Sequence, residues 1–109
     1  MGIDKPNYLV CVLTIIYGLV FSYYTVLRHY SFQTDAWDLG IYNQALWTTL
    51  FGRKFFHETP DLIYNPDGSF FGAHFSPILI LILPLYALWP HPETLLIIQS
   101  WAIALSAIP

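Results

Sequence analysis

The chain has 109 residues, of which 56% are hydrophobic and only 10% are charged. Because soluble domains carry about 25% charged residues, this composition excludes an ordinary soluble domain. Four Lys and Arg against seven Asp and Glu leave no basic surface for nucleic acid, and the single cysteine excludes internal disulfides and a thiolate zinc site. The composition predicts an all-α integral membrane protein, with the lipid bilayer as its first partner.

The first predicted element is a transmembrane helix over residues 8–27, a stretch of 20 residues that carries no charge. Such a helix is about 30 Å long, which matches the hydrocarbon core of a bilayer. Arg28, His29 and Tyr30 follow and suit the role of interfacial anchors. The alternative is a cleaved signal peptide, but this stretch is longer than the usual apolar region of about 7–15 residues and has no small-residue cleavage site.

Residues 28–75 form a connecting region that holds 12 of the chain's 20 aromatic residues. A loop this aromatic is expected to bury rings against the bilayer surface or against other helices. Residues 35–50 predict a helix that lies along the membrane interface. Its apolar side chains recur at helical spacing: Leu39, Tyr42, Leu46 and Leu50, flanked by Trp47. Further on, residues 65–68 have the Asn-Pro-Asp-Gly sequence of a β-turn.

A short helix is predicted over residues 77–89, where Ser76 and Pro77 suit its start and Pro90 its end. Its 13 residues measure about 20 Å as a helix, which is too short to span a bilayer. We favour a helix that dips into the membrane or packs beneath its neighbours. The alternative is a spanning helix extended back through Phe70, which buries His74.

The last segment, residues 93–109, predicts the start of a further transmembrane helix, since it is apolar from Thr94 to Ile108. It ends at Pro109 without a polar flank, which predicts that the chain is the N-terminal fragment of one multi-pass membrane domain.

The distribution of Lys and Arg gives only a weak indication of the side of the membrane on which the connecting region lies. One lysine, Lys5, precedes the first span, and Arg28, Arg53 and Lys54 follow it. The positive-inside rule therefore weakly places the connecting region in the cytoplasm, although two of these three residues are distant from the span.

Two carboxylates near the start of the interfacial helix are the leading candidates for chemistry. Asp35 and Asp38 are three residues apart, so on a helix they share one face. Such a pair suits a general base or a divalent metal site. The alternative is that Asp35 caps the helix and Asp38 interacts with its dipole.

Other polar residues carry weaker signals. His57, Glu58, Asp61 and His74 are potential metal ligands, but the sequence HETPD lacks the spacing of a zinc protease and contains Pro60. His74 also suits a hydrogen-bonded interfacial position. Arg53 and Lys54 suit contact with a lipid phosphate or simple snorkelling. Gln99 and Ser100 are interpreted as polar residues that pack helices together.

Several phrases of this sequence resemble a family of prokaryotic multi-pass membrane proteins, domain of unknown function 2079. They are DLGIYNQALW (38–47), ETPDL (58–62), GSFFGAHFSPIL (68–79), LPLYALWP (83–90) and PETLLIIQS (92–100). That family is grouped with the C-type glycosyltransferases, which use polyprenyl-phosphate-linked sugars as donors. The resemblance therefore implies a cell-membrane protein that transfers such a sugar to an extracytoplasmic acceptor. The alternative is a non-enzymatic membrane scaffold or transporter module.

The resemblance also implies where the site lies. In the superfamily a first span leads to a large extracytoplasmic loop with juxtamembrane helices and an essential aspartate near its start. Asp38 falls at that position, with Asp35 as the second choice, so both are assigned as catalytic. A later phrase opens a short helix that is not a full span, and His74-Phe75-Ser76-Pro77 resembles it. His74 and Arg53 are assigned to substrate binding, and a divalent metal at Asp38 is an alternative to direct base catalysis.

Overall fold

The computed structural model describes residues 7–60 and 62–108, and within these ranges it is helical without β-strands. In the same ranges the α-helices, α1 to α5, cover Tyr8–Tyr30, Ile41–Leu50, Phe70–Ala73, Ile78–Leu88 and Pro92–Leu105. A π-helical turn, Ala36–Gly40, leads directly into α2. The helical architecture and the long apolar N-terminal helix agree with the prediction.

Helix α1 begins after Asn7, whose side chain accepts the backbone N–H of Leu9 at 3.1 Å. It runs to Tyr30, three residues beyond the predicted end, so Arg28 and His29 lie in its last turn rather than after it. Basic side chains at this end interact favourably with the helix dipole. Within the described residues, α1 is the one helix that is long and apolar enough to cross a membrane.

Helix α1 packs along α5, and a glycine permits the close approach. A Cβ atom on Gly18 would lie 2.8 Å from the ring of Trp101, well inside van der Waals contact. Gly18 and Thr14 are the buried residues of α1. Small residues at such a contact are typical of helix pairs in membranes, where close packing rather than the hydrophobic effect holds helices together.

Adding one methyl group at this contact is expected to weaken the α1–α5 packing. We expect Gly18→Ala to lower the free energy of unfolding by about 1–3 kcal/mol, as overpacking typically does. The matched control is Gly72→Ala in α3, where a Cβ atom meets nothing closer than Ser69 at 3.5 Å. Thermal unfolding of both variants in detergent tests the expectation, and equal melting temperatures would contradict the close packing at Gly18.

The apolar core lies between α2, α4 and the segment that connects α2 to α4. It consists of buried residues from all three: Ile41, Ala45, Leu46, Phe56, Phe70, Leu79 and Tyr86. Ile41, Ala45 and Leu46 of α2 face this core, whereas Tyr42 and Trp47, on the predicted interfacial face, are 38% and 47% exposed. The orientation of that face toward a membrane stays a prediction. Because a π-helical turn precedes α2, residues 35–50 are not one regular helix.

Polar side chains of α2 hold the connecting segment against the helix. The Thr48 hydroxyl donates to the carbonyl of His57 at 2.8 Å, and the Thr49 hydroxyl accepts the N–H of Phe56 at 2.9 Å. Phe56 is thereby inserted into the core, where its ring contacts Phe71 at a centroid distance of 4.9 Å. Two aromatic residues of the connecting region, Phe56 and Phe70, are buried against helices, as expected for part of its aromatic residues.

The predicted β-turn is present, with the N–H of Gly68 donating to the carbonyl of Asn65 at 2.9 Å. Gly68 has a φ of +65°, and a Cβ there would collide with the ring of His57. Both the left-handed backbone and the close approach therefore require glycine.

Helix α4 is short, with 11 residues from Ile78 to Leu88, and it does not continue back through Phe70. The intervening residues 74–76 are not helical, and Phe70 belongs to the separate helix α3. At 1.5 Å per residue, α4 measures about 16 Å and the 14-residue α5 about 21 Å, both less than the hydrocarbon thickness. The extended helix considered from the sequence is therefore absent.

Candidate functional site

The chain reverses direction directly after α1 and returns toward α5. The carbonyl of Leu27 accepts the N–H of Ser31, and Phe32 adopts a left-handed φ of 57° that turns the chain. The ring Nδ1 of His29 lies 2.7 Å from the hydroxyl of Thr34, which ties the returning segment to α1. This contact fixes the residues immediately before the π-helical turn.

Asp38 lies in the π-helical turn, and Asp35 lies just before it. The carbonyl of Asp35 accepts the N–H of Asp38 at 3.4 Å and the N–H of Gly40 at 3.3 Å, the second bond being the one that defines a π-turn. The spacing predicted that the two aspartates share one face of a regular helix, but Asp35 immediately precedes the π-helical turn and the exposed Asp38 lies within it. Single π-turns occur frequently at functional sites.

The two aspartates nevertheless line the same cavity. This cavity of about 340 Å³ lies between α1, the segment after it and α5, and Arg28 contributes to its wall beside Asp35 and Asp38. Uncharged polar residues complete its polar end: Thr25, Gln33, Thr34, Gln99 and Ser100. Its remaining wall is apolar or aromatic: Tyr17, Phe21, Leu39, Leu96 and Ile103. The wall of this cavity therefore contains a positively charged residue and negatively charged residues, together with apolar side chains.

The apolar end continues along α1 and α5. A second cavity of about 490 Å³ shares Tyr17 and Ile103 with the first, and its other lining residues are Val10, Leu13, Thr14, Ala104 and Ala107. We call these two adjoining cavities the α1–α5 cleft. Its charged residues lie toward the C-terminus of α1, and its apolar residues extend into the N-terminal half of the candidate span.

Another cleft opens on the neighbouring face of α5, toward α4. This α4–α5 cleft, about 410 Å³, shares Asp38 and Gln99 with the first cavity, together with Leu39 and Leu96. The rest of its wall is Tyr42 and five apolar side chains: Leu79, Ile82, Leu95, Ile98 and Ala102. Asp38 therefore lies where the two clefts meet.

Arg53 and His74, assigned to substrate binding from the sequence, lie elsewhere. Neither is among the described residues that line the two clefts. Arg53 is exposed in a left-handed turn after α2, with a φ of 53°. His74 ends α3, and its ring lies 5.5 Å from that of Phe70. The cation beside Asp38 is instead Arg28, which the sequence marked only as an interfacial anchor.

The potential metal ligands are not gathered into one site. Among the residues the structure describes, no three His, Cys, Asp or Glu side chains are placed to hold a metal ion, and Asp61 lies outside those residues. Glu58 is 1% exposed, and one carboxylate oxygen accepts the Asn65 amide at 3.3 Å. That amide also donates to the carbonyl of Ser69 at 2.9 Å. Glu58 is therefore part of the structure that closes the connecting segment.

The end of α1 lies near the start of α5, where the Tyr30 phenol neighbours the carboxylate of Glu93, which is 7% exposed in the first turn of α5. One carboxylate oxygen of Glu93 is buried without a hydrogen-bond partner among the described residues. The packing of Gly18 against Trp101 holds the same two helices together further along the α1–α5 cleft.

A family model described as a predicted membrane protein, DUF2079, matches residues 28–109. The match covers the segment after α1, the π-helical turn and all later helices. Neither the curated proteins nor the solved structures contain a significant match to the chain.

Proposed function

Because the chain belongs to the DUF2079 family of predicted membrane proteins, we propose that it supplies part of a glycosyltransferase site that takes its sugar from a polyprenyl-phosphate donor. The observation that carries this proposal is the α1–α5 cleft, in which Arg28 and Asp38 line one end and apolar side chains line the rest. A donor of this class has the same division, with a long apolar tail, an anionic phosphate and a polar sugar.

The cleft offers each part of the donor a complementary surface. The guanidinium of Arg28 binds the phosphate through charge-assisted hydrogen bonds, and its position in the last turn of α1 sets the phosphate at the membrane surface. The isoprenoid tail lies against Tyr17, Ile103 and the apolar residues beyond them. This arrangement replaces Arg53 by Arg28 as the phosphate-binding cation.

Asp38 acts as the general base in this proposal. Its carboxylate takes the proton of an acceptor hydroxyl while the hydroxyl oxygen attacks the anomeric carbon of the sugar. The bond between that carbon and the phosphate oxygen breaks, and polyprenyl phosphate leaves with the electron pair. Arg28 stabilises the charge on the departing phosphate. The proposal uses the carboxylate directly, and a divalent metal held at Asp38 is the alternative way to activate the hydroxyl.

The test is a transfer assay with the purified membrane protein, radiolabelled polyprenyl-phosphate sugars and detergent-extracted lipids as acceptors. We expect labelled product and the release of polyprenyl phosphate in equal amounts. Donor binding without any transfer to an acceptor, over a panel of sugars, would support a scaffold or transporter instead.

The proposal also requires the connecting region, residues 28–75, to be extracytoplasmic. We expect Asp67→Cys, in a Cys11→Ser background, to react with a membrane-impermeant thiol reagent added to the outside of intact cells. Asp67 suits this test because it is exposed in the β-turn. Labelling only after the cells are opened would place the region in the cytoplasm, as the Lys and Arg count favours.

A further inference from the structure

The α4–α5 cleft resembles the α1–α5 cleft in general form, but no cationic side chain is among the described residues that line it. Both have apolar walls along α5, and both lead to Asp38, Leu39 and Gln99. The volumes of about 340 and 410 Å³ fall in the range of ligand pockets, roughly 300–1,000 Å³. Leu96 and Gln99 form the border between the two clefts.

The presence of a cation separates the ligands that each cleft accepts. Arg28 lines the α1–α5 cleft together with Asp35 and Asp38, whereas the described residues of the α4–α5 cleft include Asp38 as the charged group and contain no Lys, Arg or His. A phosphate brought into the α4–α5 cleft would face a carboxylate without a compensating cation, which is unfavourable in a partly desolvated site. A neutral head that donates a hydrogen bond suits the carboxylate of Asp38 and the amide of Gln99.

We propose that the α4–α5 cleft binds the acceptor, and that this acceptor is a membrane lipid with an uncharged hydroxyl head. The inference rests on the proposed function, which makes Asp38 the base. The apolar tail of the acceptor lies against Ile82, Ile98 and Ala102, and its hydroxyl reaches Asp38 from the side opposite the donor phosphate. The hydroxyl gives its proton to Asp38, its oxygen bonds to the anomeric carbon, and polyprenyl phosphate leaves into the α1–α5 cleft.

The arrangement can be tested with two photoreactive probes that share one isoprenoid tail. One probe is a diazirine-bearing isoprenoid alcohol, and the other is its monophosphate. With the protein in lipid nanodiscs, we expect the alcohol to cross-link to residues of the α4–α5 cleft, such as Ile82, and the monophosphate to residues of the α1–α5 cleft, such as Phe21. Peptide mass spectrometry locates the cross-links.

Blocking one cleft provides the control. Ala102→Trp fills the α4–α5 cleft, and we expect it to reduce cross-linking of the alcohol at least about tenfold while leaving the monophosphate nearly unchanged. Leu105→Trp adds the same ring to an exposed position on α5 that lines neither cleft, so it should change neither probe.

The outcomes separate this inference from the proposed function. Cross-linking of the alcohol in the α1–α5 cleft, or equal cross-linking in Ala102→Trp, overturns the lipid acceptor. Sugar transfer to a water-soluble acceptor, with no specific site for the alcohol, overturns it too but leaves the glycosyltransferase standing. Specific binding of the alcohol in the α4–α5 cleft, without sugar transfer in any assay, supports the lipid site and rejects the transfer reaction.

Discussion

Asp38→Asn is expected to reduce sugar transfer at least a hundredfold, because a general base contributes roughly 10²–10⁴-fold to the rate. The amide of asparagine keeps the size of the carboxylate but does not take a proton from the acceptor hydroxyl. Asp38 is exposed in the π-helical turn, so the substitution leaves the apolar core intact. Initial rates at saturating donor, normalised to folded protein from size-exclusion chromatography, measure the effect.

Asp35→Asn is the matched control, since Asp35 lines the same cavity but precedes the turn. We expect a smaller loss of rate from it. Helix capping by a side chain is worth about 1 kcal/mol, and asparagine caps nearly as well as aspartate, so a structural role predicts little change in either variant. Near-normal transfer by Asp38→Asn would therefore remove Asp38 as the base, and the mechanism with it.

The elements of the fold whose conformation is set by residues close together in the sequence could be predicted. The absence of charge from Tyr8 to Leu27 predicts α1, and Ser76 with Pro77 predicts the start of α4, which begins at Ile78. The turn at Gly68 follows from residue preferences that act over four positions. The π-helical turn before α2 was not predictable in this way, because nothing in a 3.6-residue pattern signals it.

The composition of the candidate site depends on contacts that are distant in sequence. Arg28 and Gln99 are 71 positions apart and meet in one cavity only because α1 packs on α5. The sequence does contain one signal for that pairing, since Gly18 interrupts an apolar helix where a small residue permits close approach. It does not identify Trp101 as the partner. Arg53, assigned to substrate binding from the sequence, lies instead in the exposed turn after α2 and lines neither cleft.

The second large effect is expected on the pH dependence of stability, through Tyr86, which packs α4 against α2. Tyr86 is fully buried, and its hydroxyl donates to the side-chain oxygen of Asn43 at 2.7 Å. Burial raises the pKa of this phenol from 10.0 to about 12, because a phenolate would lose its hydration. Between these pH values the unfolded chain releases the proton and the folded chain keeps it. The free energy of unfolding therefore falls as pH rises, by about 2–3 kcal/mol across the interval, and it is unaffected by this group below pH 10.

Tyr86→Phe isolates this contribution from other groups that titrate at high pH. At pH 8 the variant should be less stable than the wild type by about 0.5–1.5 kcal/mol, since Asn43 loses its donor. Between pH 10 and 12 it should lose less stability than the wild type, so the two melting curves approach or cross. Tyr8→Phe, at a position 83% exposed, should follow the wild type throughout. Parallel pH profiles for all three proteins would show that the phenol of Tyr86 titrates in contact with water, and that the core between α2 and α4 is open there.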